Sequence, residues 1–285
     1  MPYIGTAPSS ELANLDINGQ KFILDADADT SITADTDDTI DIEIAGADDF
    51  QFTANTFTAK SGSTIAAQAL TATTIGSSAG VTITGTTPTL TIGDAGAEDA
   101  AIVFDGNAQD FHIGLDDTAD DLVIGLGSAL GTTTHMSFTE DGEILKPLQP
   151  AFLVQNSAAQ NNISVAGYTT IVFDSEILDV GANFASNTFT APITGKYQIN
   201  AIVLLVDADD ASTYLNVQLV TSNRNYADVH NTGGFDADGY VVGGVSMLCD
   251  MDASDTAYMR VYIQGGSAQT DATAENSRFG GFLAC

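Results

Sequence analysis

The strands available to the first half of this sequence are too thin for one chain to build a core from them. Between Ser61 and Gly96 the chain is a low-complexity run of Thr, Ser, Ala, Gly and Ile. Its apolar segments, such as Val81-Thr82-Ile83 and Leu90-Thr91-Ile92, carry two apolar residues apiece. A strand pair with so little to bury is marginal in water. On either side of this run an acidic pair repeatedly opens a short alternating segment. Asp37-Asp38 precedes Ile40, Ile42 and Ile44; Asp48-Asp49 precedes Phe50 and Phe52; Asp120-Asp121 precedes Leu122, Ile124 and Leu126. Alternation at period two puts each set on one face of a strand, and an Asp ahead of it caps a turn with its own carboxylate. Three copies wound around an axis would let these residues meet and would close the free strand edges. The expectation for residues 16–148 is therefore an intertwined trimeric β-shaft, a degenerate repeat packed through those eight side chains. Disorder is the competing reading, from the charge and low complexity; the regular alternation of Ile and Phe argues against it. Ala-rich Ser63 to Leu70 is the one segment that could form a short helix.

Charge narrows the partners. The 285 residues hold 7 Lys and Arg against 38 Asp and Glu, for a formal charge of -31, and residues 1–148 carry 24 of the acids with 3 of the bases. Such a surface repels nucleic acid and anionic lipid, so neither is expected as a partner. It also repels copies of itself, so self-association needs apolar burial helped by salt or bound cations. No run of 18 apolar residues is present, and no membrane insertion is expected. The start, Met1-Pro2-Tyr3-Ile4-Gly5, lacks the basic region and apolar core of a secretory signal. Cys249 and Cys285 could pair, but their apolar surroundings favour free thiols.

A boundary falls between Asp141 and Pro150, marked by Gly142, Pro147 and Pro150. Residues 149–285 read as longer, more aromatic strands: Ala151–Val154, Thr169–Phe173, Thr188–Thr190, Gly195–Leu205, Tyr214–Thr221, Gly239–Leu248, Ala257–Gln264 and Arg278–Cys285. That many strands with regular turns suits a jelly-roll β-sandwich. The expected fold is all-β throughout.

Catalytic chemistry is sparse. His112, His135 and His230 stand alone without metal-ligand spacing and read as surface or turn residues. No strained nucleophile motif occurs, and acidic pairs are too numerous to single out a glycosidase pair. The chain is not expected to be an enzyme, and no cofactor is required. Calcium is an option at Asp25, Asp27 and Asp29 and at Asp207, Asp209 and Asp210, although neither run completes a binding loop and solvated turns explain both. For binding, the turn-rich segment Asn223 to Phe235 offers Arg224, Tyr226, Asp228, His230 and Phe235, residue types that stack on and hydrogen-bond to sugars or proteins. An ordinary connecting loop is the other reading of this segment.

The second half resembles the complement globular-head/tumour-necrosis-factor jelly-roll family. The resemblance rests on Phe173, Asp179, Phe184, Phe189 and Gly195-Lys196-Tyr197-Gln198-Ile199, then on Asp255 to Tyr262 and Ser277 to Leu283. It implies a compact trimeric head on a trimeric stalk, with cations able to sit near Asp207–Asp210. The first half is similar to fibre proteins of marine tailed bacteriophages. That similarity rests on Leu15 to Gln20, Ser31 to Asp38, Ala101 to Phe111, Leu115 to Thr118 and Lys146 to Pro150. It implies a homotrimeric fibre exposed on the virion, anchored to other virion structural proteins through residues 1–15. A head over residues 149–285 would attach to a host cell-surface glycan or protein. A decoration fibre whose head only nucleates and registers the trimer is the alternative, and a glycan-degrading spike is a third.

Overall fold

The computed structural model describes residues 19–65, 74, 76–77, 80–233 and 239–285. Among them every regular element is a strand. The chain divides into two units, Met1–Thr86 and Thr87–Cys285.

In the first unit β1 (Phe22–Ile23), β2 (Ser31–Thr33), β3 (Ile40–Ile44), β4 (Ala47–Thr53) and β5 (Thr56–Ala59) form an antiparallel meander in chain order. The register sets Phe22, Ile32, Ile42, Phe50 and Ala59 in one cross-strand row and Ile40, Phe52 and Phe57 in the next. Ile40, Ile42, Phe50 and Phe52 thus share a face, as the alternation predicts, and Phe57 stacks on Phe52 at 4.8 Å. The opposite face is a polar ladder. Ser31 donates to Glu43 at 3.0 Å, Gln51 to Asp41 at 2.8 Å and Lys60 to Gln51 at 2.8 Å. Ser31, Thr33 and Asp41 are buried while Ile40 is 48% and Phe52 41% exposed. The apolar face is the open one.

A second meander opens the second unit: β6 (Ala100–Phe104), β7 (Phe111–Asp116), β8 (Asp121–Leu126), β9 (Thr134–Phe138) and β10 (Ile144–Leu145). Its rows run Ile102, Ile113, Ile124, Met136 and Phe104, Phe111, Leu126. The β7–β8 hairpin repeats β2–β3: in both an Asp with positive φ, Asp38 (58°) and Asp120 (56°), precedes the alternating strand. Two of the three acidic pairs thus mark one repeated hairpin, whereas Asp48-Asp49 lies inside β4, after a turn made by Ala45 and Gly46. Again the apolar side is open, with Ile113, Leu115 and Leu122 exposed, and the small or polar side is buried. His112 belongs to that buried side and not to a surface turn, because the strand alternation turns it inward. Its Nδ1 lies 2.9 Å from the Gly127 carbonyl. A Cβ on Gly125 would stand 2.6 Å from the His112 ring, so the neighbouring strand needs glycine there.

The meander strands β2–β4 and β7–β9 find hydrogen-bonding neighbours within the chain. Val81–Ile83 and Leu90–Ile92 form no strand; Val81 is 71% and Leu90 64% exposed, since two apolar residues cannot offset the cost of ordering a strand. The proposed helix at Ser63–Leu70 and the anchor at 1–15 lie wholly or mostly outside the described residues.

The rest of the second unit is a jelly-roll sandwich of antiparallel sheets. Its strands are β11 (Ala151–Gln155), β12 (Tyr168–Thr170), β13 (Ser175–Val180), β14 (Phe184–Ala185), β15 (Thr188–Thr190), β16 (Gly195–Ala208), β17 (Ser212–Thr221), β18 (Asn225–Asn231), β19 (Gly239–Met251), β20 (Thr256–Gly265), β21 (Asp271–Ala272) and β22 (Arg278–Leu283). One sheet has the order β13-β11-β22-β16-β19, with β21 on β16; the other has β14-β15-β20-β17-β18, with β12 on β20. The chain crosses between sheets after β11, β12, β13, β15, β16, β18, β19 and β20, the interleaving expected of a jelly roll. Inward residues alternate without a gap: Tyr197, Ile199, Val203 and Leu205 from β16 face Leu215, Val217 and Leu219 from β17 and Met259, Val261 and Ile263 from β20, all fully buried. Gly195 serves by absence of a side chain and not by turning. A Cβ there would come within 2.5 Å of Leu283 and 2.8 Å of the Cys285 carbonyl. Phe184 and Phe189 pair across a two-residue hairpin in which Ser186 and Asn187 both have positive φ.

Phe152 joins the two sheets. Its ring stacks on Phe189 at 4.4 Å and Phe184 at 5.6 Å and meets the edge of Phe279 at 4.9 Å. Phe152→Ala removes this bridge and should lower the stability of the sandwich by about 3–5 kcal/mol, read as a shift in the urea midpoint at unchanged slope.

Candidate functional site

β18 and β19 edge the two sheets on the same side of the sandwich. Asn223–Phe235, expected to be a turn-rich loop, is for the most part β18 itself, paired along its length with β17 from Tyr214↔Asn231 to Val220↔Asn225. The strand is hard to see in sequence because its inward side is polar: Tyr226, Asp228 and His230 alternate with outward Ala227 and Val229. An edge position permits this, since the gap between sheets admits water there.

Three of the five predicted binding residues therefore come together. Tyr226 and Asp228 face β19 across a cleft of about 550 Å³ that Gly244, Ser246 and Met247 help to line, and His230 joins the group through Asp228. Asp228 accepts from His230 Nε2 at 2.9 Å and from the Gly244 N–H at 2.9 Å. Gly244 lies on the free edge of β19, so this carboxylate stitches one sheet to the other. Partial burial works against the charge of Asp228, but the Gly244 and His230 hydrogen bonds outweigh it and hold the carboxyl below its ordinary 3.8. Burial pushes the Tyr226 phenol up, and likewise the thiol of buried Cys249, to which Tyr226 hydrogen-bonds. Arg224 is not part of the group. It sits exposed in the β17–β18 turn, which Thr221 closes by accepting from the Arg224 N–H at 3.0 Å. Phe235 lies outside the described residues. The cleft offers hydrogen bonding and one aromatic edge. Among the described residues no nucleophile contacts His230.

The acidic runs separate. Asp209 is buried; Ser267 donates to it through its N–H at 2.6 Å and its hydroxyl at 2.7 Å, and the Ala211 N–H at 2.8 Å. These bonds, the Ser267 hydroxyl first, hold its carboxyl below the ordinary value. Asp209 is thus occupied in tying the β16–β17 turn to the loop after β20, and its carboxylate does not converge with those of Asp207 and Asp210. Among the described residues the group whose oxygens converge within 4.8 Å is Asp25, Asp27 and Asp29, in the exposed turn before β2. There Asp25 accepts from the N–H groups of Ala28 at 3.1 Å and Thr30 at 3.3 Å, and its proximity raises the carboxyl of Asp29. Cys249 and Cys285 are both free thiols, the first buried and the second exposed.

A feature the sequence reading missed lies on the outer face of the β16 sheet. Leu153, Leu178, Ile202, Val242 and Phe282 line a groove of about 630 Å³, floored by Gly280 where a Cβ would stand 2.8 Å from the Phe152 carbonyl. Its signal was present in Ala201 to Val206, where both alternating sets are apolar, a pattern of strands covered on both sides.

No known protein-family profile matches the chain, and no curated protein does. Among solved structures it is similar to the globular domain of zebrafish complement 1qA protein. The identity is 16%, over 48% of this chain and 98% of that one, with a TM-score of 0.35. It is also similar to murine APRIL, at 10% identity over 47% of this chain and 98% of that one, with a TM-score of 0.36. At these scores the likeness decides nothing about function, and the jelly-roll assignment rests on the strand order above.

Asp228→Ala should cost about 1 kcal/mol or less at neutral pH, since the carboxylate is partly solvated. Because its pKa is depressed in the fold, the charge contributes stability above its unfolded value and loses it as pH falls through the folded one. The gap in melting temperature between Asp228→Asn and the parent should therefore shrink as pH falls below 3.8.

Proposed function

We propose that the chain is the subunit of a homotrimeric bacteriophage virion fibre, anchored through residues 1–15 and attaching to the host surface through its head. The observation that carries this reading is the open apolar face of each meander. Ile40, Phe52 and Phe57 in the first, and Ile113, Leu115 and Leu122 in the second, stand in water beside buried Ser, Thr, Asp and His. A fold that leaves its apolar side out has a second layer elsewhere, and further copies of the chain supply it at no cost in specificity. The number three follows from the resemblance of the second half to complement heads. The groove on the β16 sheet gives each head a face for the same purpose.

That groove also favours a second reading, in which the head nucleates and registers the trimer without touching a host. Full chain that coats host cells and blocks particle adsorption supports attachment; trimers that do neither support decoration. The oligomer is tested first. Sedimentation equilibrium should give three times the 29.4 kDa chain, and Ile113→Asp combined with Leu122→Asp should shift the population toward monomer with the head still folded. A parent chain that sediments as a monomer would overturn the fibre reading.

A further inference from the structure

Among the described residues, the outer face of the β20 sheet carries a cluster of tyrosines under a cation. Tyr262 lies between two other tyrosines, with ring centroids 5.0 Å from Tyr168 and 5.9 Å from Tyr214, the latter pair nearly parallel at 23°. Arg260 is laid over the Tyr168 ring at 3.7 Å. Its Nε donates to Gln218 at 2.9 Å, and Gln218 in turn donates to the Tyr168 hydroxyl at 3.4 Å. The guanidinium is thereby fixed in orientation with four N–H groups left over, and among the described residues none of them meets an acceptor. Asn216, cross-strand from Tyr262, has a covered side-chain oxygen without a protein partner, the kind of acceptor that a hydroxyl or water completes.

Charge singles the face out as well. The register places Tyr168, Tyr262, Asn216 and Val229 in one row and Thr170, Arg260, Gln218 and Ala227 in the next. The outward positions of these four strands include no Asp or Glu, in a chain of formal charge -31. The result is a platform about 14 Å across, at roughly 4.8 Å per strand gap, with aromatic faces and oriented donors but no repelling carboxylate.

We infer that this platform binds an uncharged glycan chain, with sugar ring faces on Tyr262 and Tyr214 and hydroxyls on Arg260 and the Gln218 and Asn216 amides. Stacking suits the carbon-bound hydrogens of a sugar ring, and the amphipathic Tyr ring serves both the apolar face and the hydroxyls. A polyanionic glycan is disfavoured by the field of the whole chain, which one arginine does not reverse. The inference rests on the attachment reading and gives it a ligand class. The platform is on the sandwich side opposite the β16 groove, so trimerisation through that groove leaves it free.

The test is affinity gel electrophoresis of the full chain in gels containing dextran, mannan or laminarin, with alginate as the acidic comparator. At least one neutral polymer should retard the parent. Tyr262→Ala and Arg260→Ala should each weaken that retardation about tenfold or more without changing the melting temperature by more than a few degrees. Retardation by alginate alone, by no polymer, or equally in parent and variants would overturn the inference. Host-cell coating that persists in Tyr262→Ala would sink it and leave attachment standing. Neutral-glycan binding by a chain that coats no host cell would do the reverse.

Discussion

A β-sheet has two faces, and what covers each of them decides what a β-protein can be. In the jelly roll both sheets turn their apolar sides to one another, and Ile199, Leu215, Val217 and Ile263 lose all contact with water. In the meanders the same alternation leaves large apolar side chains exposed among the described residues. A large side chain of which nearly half is exposed gains on the order of 1 kcal/mol when a partner covers it. The eight or so such positions on the second meander therefore offer roughly 8 kcal/mol per copy. Association costs about 4–15 kcal/mol before any gain appears. One meander is marginal as a self-association surface. In the proposed trimer, two meanders and the β16 groove on one chain would share a single loss of freedom.

The head solves the opposite problem on its two outer faces. Ile202, Leu204, Val242 and Phe282 form an apolar patch on the outside of the β16 sheet, beside a polar set in which Gln198, Ser246 and Asn200 hydrogen-bond one another. The outside of the β20 sheet alternates Tyr214, Asn216 and Gln218 against buried Leu215, Val217 and Leu219. A sandwich with an apolar patch outside one sheet and a polar, aromatic outside on the other is polarised. Its first outer face is suited to another copy, and its second is suited to solvent or to a ligand rich in hydroxyls.

Much of this was legible in the sequence because period two survives wherever one face is fully dry. Thr188–Thr190 was read to the residue, and Gly195–Leu205 fell short of the observed β16 by three residues, where Asp207 takes a positive φ. β18 was missed because an edge strand can turn Asp228 and His230 inward without a desolvation penalty large enough to forbid it. β13 was missed for a related reason: Ile177 and Leu178 are both exposed, so neither face imposes alternation. His112 was misplaced because composition cannot show which side of a one-layer sheet is covered. In these meanders it is the small and polar side, where Gly114 and Gly125 let strands approach. The binding cleft was half legible. Tyr226, Asp228 and His230 were named, but the Gly244 N–H that orients Asp228 belongs to a strand 16 residues on, and no local pattern announces it.

Several of the acids, finally, close turns. Asp116 accepts from the N–H groups of Thr118 and Ala119, Asp110 from Gly106, Asp94 from Gly96, Asp179 from Asn183 and Phe184, and Asp255 from Asp252. Asn or Ser would serve many such turns, so the choice of a charged residue adds something beyond geometry. Each meander pairs an apolar face with charged turn residues at its strand ends. Those charges oppose any misaligned stacking of one apolar face on another, because an offset brings acidic turns over a dry surface at a desolvation cost. The same residues that end the strands thus limit which contacts the open faces can make.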